Sequence, residues 1–136
     1  SRMNRTYSSQ EFLSLVDKIR TYMPNCTIST DVIVGFPGET EQDFKDTLSV
    51  MDKVKFNFSY MFKYSSRPGT KAAEYSDQVD EEIKQSRLEQ LIQKQKNITL
   101  ELNKNYIGEE LKISIKRGKL PKIQILKDYG WINYKP

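Results

Sequence analysis

The stretch Ile28-Ser-Thr-Asp-Val-Ile-Val-Gly-Phe-Pro-Gly-Glu-Thr-Glu-Gln-Asp-Phe44 restricts the folds open to this chain more than any other. Residues 28–34 are mostly β-branched and carry one charge, Asp31, which suits a strand covered on both faces, as in a parallel sheet. Gly35 and Gly38 admit backbone angles that a side chain forbids, and Pro37 fixes its own φ, so the strand stops there. Thr40 then opens a helix, with Asp43 placed as the reciprocal capping-box partner and Glu41 and Asp43 facing the positive helix end. Binding in α/β proteins gathers at the carboxyl ends of strands, which makes the loop from Gly35 to Glu39 the place to seek a ligand.

The flanking chain extends this unit in both directions. Ser8 and Glu11 are spaced as a capping box, and Phe12, Leu13, Val16, Ile19 and Met23 give a helix over about 9–23 one apolar face, ended by Pro24. In the helix after Thr40, Phe44, Leu48 and Met51 point inward while Lys45, Asp46, Asp52 and Lys53 face out. Aromatic residues alternate at Phe56, Phe58, Tyr60 and Phe62, so the run from Val54 to Phe62 predicts a second strand with an aromatic face, simplest as core. The order helix, strand, helix, strand is that of a parallel crossover, α/β in class. A sheet of two strands leaves edges uncovered, so the expectation is either a larger sheet or self-association through the open side.

The polar run Lys63-Tyr-Ser-Ser-Arg-Pro-Gly-Thr70 then lies at the same end of the sheet as the Gly35 loop, where Arg67 suits a carboxylate or phosphate. Asp80 is placed to cap a long helix reaching about 103–105, with Ile83, Leu88, Leu91, Ile92, Gln95, Ile98 and Leu102 on its inner side. Gly108 marks a boundary. Leu111, Ile113 and Ile115 beyond it alternate with polar residues as a half-exposed strand, followed by short turns and strands around Ile123, Ile125 and Trp131. Lys112, Lys116, Arg117, Lys119, Lys122 and Lys127 crowd this end and form a candidate contact for a phosphate backbone.

Several chemistries are excluded from the segment itself. A single cysteine, Cys26, and no histidine leave no internal disulfide, cysteine-built cluster or histidine-based mechanism. At 136 residues the chain is too short for a complete (β/α)₈ barrel. No apolar run approaches the roughly 20 residues of a membrane span and no secretory leader is visible, so a cytoplasmic setting is expected. The glycine loop lacks a phosphate-binding pattern, and Glu39 and Glu41 would repel a phosphate. A neutral or zwitterionic ligand, held by the backbone at Gly35 and the flank of Ile33, fits better. Glu39 is open to two readings, acceptor for a ligand amine or tie for its own loop. Asp31 is expected to be paired, water-exposed or shifted, and no complete catalytic constellation is present.

Read together, Met3-Asn-Arg-x-Tyr7, Ile19-Arg20, Ser29 to Phe44, Phe62-Lys-Tyr-Ser-Ser-Arg-Pro-Gly-Thr-Lys-Ala-Ala73, Asp77-Gln-Val79 and Arg87-Leu88 resemble the tRNA methylthiotransferase family, which are radical S-adenosylmethionine enzymes. The resemblance covers about residues 3–110 and is nearest the branch that modifies the adenosine beside the anticodon. It implies that residues 1–105 are the carboxyl-terminal portion of a partial (β/α) radical-enzyme barrel with parallel strands. Residues 106–136 would then be a partial or divergent piece of the small antiparallel β domain called TRAM. The parent enzyme would use S-adenosyl-L-methionine and two [4Fe–4S] clusters to place a methylthio group on a modified adenosine of tRNA.

The cluster motif Cys-x-x-x-Cys-x-x-Cys is not in this sequence, so the implied segment is inactive alone and holds no cofactor by itself. By the same resemblance Ile33 and Gly35 fall on the last two fixed positions of a Gly-x-Ile-x-Gly signature that touches the adenine, with Asp31 where the family has its first glycine. Tyr64 and Ser65 pass near the adenosyl group, and Arg67 and Lys63 face the substrate. No catalytic or metal-binding residue is assigned, and no membrane partner is expected. Two rivals stay open: the related branch that modifies a ribosomal protein, and a non-catalytic α/β domain that binds RNA.

Overall fold

The computed structural model describes Met3 and residues 6–108, which form α1 (Ser9–Tyr22), β1 (Ser29–Val34), α2 (Glu41–Val54), β2 (Phe58–Lys63), a 3₁₀ turn at Lys71–Glu74 and α3 (Glu81–Lys104). The expectations for residues 109–136, including the basic cluster and the small β piece, lie outside the described residues. Both capping boxes form as the spacing demands. The Glu11 N–H donates to Ser8 Oγ at 3.2 Å while the Ser8 N–H donates to Glu11 Oε2 at 2.7 Å, and Thr40 and Asp43 repeat the exchange at 3.1 and 2.8 Å. Both carboxyls are held below the usual carboxylate range, Glu11 mainly by the Ser8 N–H and Asp43 mainly by the Thr40 hydroxyl.

The strands pair in parallel, Ser29 against Phe58 through Val34 against Lys63, so the chain is α/β and both strands end on the same side. At the other end the Ile28 N–H donates to Asn57 Oδ1 and the Asn57 N–H to the Ile28 carbonyl. The second strand is shorter than the aromatic alternation predicts. Val54 closes α2, and Lys55 takes a left-handed φ of 51° with its N–H on the Met51 carbonyl. The helical spacing of Phe44, Met51 and Val54, all buried, outweighs the strand pattern there. Arg20 of α1 then donates to the Val54 carbonyl at 2.5 Å, a cation on the negative end of α2.

Chain unit 1–99 holds a core of Val16, Val34, Phe44, Met51, Val54, Phe56, Leu91 and Ile98. Gln95 interrupts the apolar side of α3 for a definite purpose: it is buried and donates to the Phe56 carbonyl at 2.8 Å, satisfying a main-chain group the turn after α2 leaves free. Unit 100–136 is described only as far as residue 108, where the last turn of α3 tightens through the Asn105 N–H to the Leu102 carbonyl. Among the described residues no helix is long and apolar enough to cross a membrane.

Among the described residues only one face of the sheet is covered. Val34 and Ser59 are buried and Val32 shares a hollow with Thr47, Val50 and Met51 of α2, whereas Asp31 and Ile33 of β1 and Phe58, Tyr60 and Phe62 of β2 are exposed on the other face. Of the aromatic residues read as core, Phe56 alone is buried; Phe58, Tyr60 and Phe62 are 52%, 58% and 51% exposed. Alternation assigns residues to faces but does not say which face has a neighbour.

Candidate functional site

Past Val34 the chain turns on Gly35, whose φ of +74° is left-handed. The following Phe36-Pro-Gly-Glu39 is a tight turn with Pro37 second, Gly38 third at φ +82°, and the Glu39 N–H on the Phe36 carbonyl at 2.9 Å. Glu39 then folds back on its own loop: the Gly35 N–H donates to Glu39 Oε2 at 2.6 Å. The same oxygen receives Arg87 Nη1 at 2.7 Å, and that nitrogen also reaches the Glu39 carbonyl at 3.1 Å. Of the two readings of Glu39, tie for its own loop is the one these contacts favour.

After β2 the Tyr64 N–H donates to the Val34 carbonyl at 2.8 Å, so the second loop starts beside the first. Phe36 meets the Tyr64 ring edge-on at 5.3 Å and Tyr75 at 6.5 Å. Between the loops lies an open cleft of about 620 Å³ lined by Met3, Ile33, Phe36, Phe62, Lys63, Tyr64, Ser65, Arg67, Thr70 and Ala72. Its wall is largely aliphatic and aromatic, with polar groups on the side of the second loop, a composition suited to a flat, partly apolar ligand carrying a polar end.

Five of the six site residues named from the sequence, Ile33, Lys63, Tyr64, Ser65 and Arg67, line this one cleft. Gly35 does not. It is buried, its N–H is taken by Glu39, and the space where a side chain would start is filled by Lys84, whose Cγ would clash with a Cβ there. Lys63 is also less free than a substrate-facing residue would be, because its ammonium bonds Glu81 and, at 3.3 Å, Gln85; the bond to Glu81 is the main reason that carboxyl sits below its usual range. Arg67 is exposed.

Sequence reasoning missed Arg87 as part of the site. It is 6% exposed, stacks over the Phe44 ring at 5.5 Å and has Nη2 3.6 Å from Glu41. A signal was available: stepping back one turn from Leu91, Gln95 and Ile98 along the buried face of α3 lands on Arg87. Among the described residues no group of histidine, cysteine, aspartate and glutamate is placed to hold a metal ion, and Cys26 is exposed at the opposite end of β1.

No protein-family profile matches the chain. Curated proteins similar to it come from Rhodococcus jostii, 48% identical over 116 residues, and Corynebacterium diphtheriae, 47% over 113, covering 85% and 83% of this chain. A third, from Acetivibrio thermocellus, is 44% identical over 113 residues. Each bears the name tRNA-2-methylthio-N(6)-dimethylallyladenosine synthase. The matched stretch is 23%, 22% and 24% of these relatives, so the chain spans about a quarter of their length.

Proposed function

We infer that the chain belongs to the tRNA methylthiotransferases, and that the protein it forms part of adds a methylthio group to a modified adenosine of tRNA by radical S-adenosylmethionine chemistry. The supporting observation is identity of 44–48% to proteins of that name across 83–85% of the chain. The cleft at the shared carboxyl end of two parallel strands is where such a fold holds its ligand.

The cleft residues fit S-adenosylmethionine. Ile33, Phe36 and Tyr64 offer flat or branched apolar surface for an adenine, Ser65 offers a hydroxyl for its sugar, and Arg67 stands at the mouth for tRNA phosphate or a ligand carboxylate. Gly35 contributes by letting the chain turn tightly enough to bring Ile33 and Phe36 to one wall. Bound S-adenosylmethionine supplies the radical chemistry of the transfer. The residues of this chain do not fit an iron–sulfur cluster, having one cysteine and no histidine, so both clusters belong to other parts of the longer protein.

Those other parts also cover the open sheet face and edges, completing a partial barrel; left alone, the segment is inactive and associates through them. Residues 106–136 form part of a TRAM-type RNA contact, and the enzyme works in the cytoplasm with its tRNA. Calorimetric titration of the full-length protein with S-adenosylmethionine should give saturable binding, and methylthio transfer should occur on tRNA and not on ribosomal protein. Absence of binding would overturn the reading, and transfer to the ribosomal protein alone would move it to the other branch.

A further inference from the structure

The opening turns of α3 touch the loops after both strands. Arg87 holds the first through Glu39, whose carboxylate in turn holds the Gly35 N–H. One turn earlier the Lys84 methylenes lie against Gly35, and the Lys84 ammonium sits 5.7 Å from the centre of the Tyr64 ring in the second loop. Glu81 and Gln85 bond Lys63 at the end of β2. A single rigid element therefore meets both walls of the cleft.

We propose that Arg87, acting through Glu39 and the Gly35 turn, is a positioning residue for the cleft. It fixes where the wall carried by Ile33 and Phe36 stands against the wall carried by Tyr64 and Ser65, and so sets affinity for the adenosyl ligand. The inference rests on the reading of this cleft as the S-adenosylmethionine site. Its geometric basis is that one guanidinium nitrogen grips both the side chain and the main chain of Glu39, at 2.7 and 3.1 Å, from a buried position on a helix. Charge neutralisation alone would need only the first contact.

The test compares the full-length, cofactor-loaded protein with its Arg87→Met and Glu39→Gln/Arg87→Met variants. The single variant strands a buried carboxylate and can unfold; the double variant leaves no buried charge unpaired, since Glu41, the other carboxylate near Arg87, is solvent-exposed, and the amide oxygen introduced by Glu39→Gln still accepts from the Gly35 N–H. In the double variant the dissociation constant for S-adenosylmethionine should rise on the order of tenfold or more, with the melting transition kept. Hydrogen exchange over residues 35–39 should quicken while α1 is unchanged. Wild-type affinity and wild-type exchange in the double variant would overturn the proposal. If the wild-type protein itself binds no S-adenosylmethionine, the functional reading falls, and the exchange of residues 35–39 still decides whether Arg87 positions the loop.

Discussion

Two turns of the same local chemistry follow the two parallel strands, Phe36-Pro-Gly-Glu39 and Arg67-Pro-Gly-Thr70. Each has proline second, a left-handed glycine third (φ +82° and +81°), and closes with the fourth N–H on the first carbonyl, at 2.9 and 3.2 Å. Beyond the turn they part. The first is buried at Pro37, tied through Glu39 to Arg87, and bonded from the Gly38 N–H to the Asp77 carbonyl at 2.9 Å. The second is exposed throughout, its further closure coming from the Thr70 hydroxyl on the Arg67 carbonyl at 2.8 Å, with open space around Gly69. The same turn chemistry is thus tied down where α3 lies over it and stands exposed where, among the described residues, no helix does.

The sharpest way to break this contrast is Arg87→Ala. Removing one partner of a buried ion pair leaves the Glu39 carboxylate uncompensated, and denaturant unfolding should show a loss of about 3–5 kcal/mol. Gly35→Ala comes next. The left-handed backbone costs about 1–2 kcal/mol for any residue with a Cβ, and displacement of the Lys84 chain adds to it. Gly69→Ala carries the backbone strain alone, since nothing stands within 4 Å of the new Cβ, and equal losses at the two glycines would erase the distinction between the two turns.

Arg67→Ala should move the unfolding midpoint hardly at all, within about 0.5 kcal/mol. On the proposed function it should nonetheless raise the KM of the full-length protein for tRNA, the reverse of the pattern expected of the scaffold loop. The smallest effect is that of pH on the Lys63–Glu81 tie at the root of the second loop. Because the folded Glu81 carboxyl is depressed below its unfolded value, its contribution is complete above the ordinary glutamate range and drains away as pH falls through the depressed value. Glu81→Gln should flatten that part of an acid-unfolding profile, and an unchanged profile would count against the tie.

Much of this is legible without coordinates where the interaction is local. Ser8 with Glu11 and Thr40 with Asp43 are separated by three residues, so their capping follows from spacing. The parallel pairing, and with it the meeting of the Gly35 loop and the Tyr64 segment, follows from the order of elements. The misreadings share the opposite character. Alternation puts Phe58, Tyr60 and Phe62 in the core because it looks the same whether or not a second layer lies above it. It draws Val54 into a strand because a β-branched residue beside aromatics outvotes one more helical turn. Arg87 does not stand out as part of the site because its partner lies 48 residues away.

Short-range patterns in the chain were enough for the order of the helices and strands up to α3, the two capping boxes, the Pro-Gly break after β1 and the family resemblance carried by contiguous motifs, all of which depend on residues a few positions apart. The packed coordinates were needed to tell which turn is anchored, that the Glu39 carboxylate serves its own loop, and which sheet face the described residues leave bare. Those outcomes hinge on where α3 lies: it grips the Phe36–Glu39 turn directly, and meets the second loop at Lys63 and Tyr64 rather than at its Arg67–Thr70 turn. A contact between residues distant in the chain exists only once backbone geometry brings them together, and side-chain type alone cannot encode that meeting.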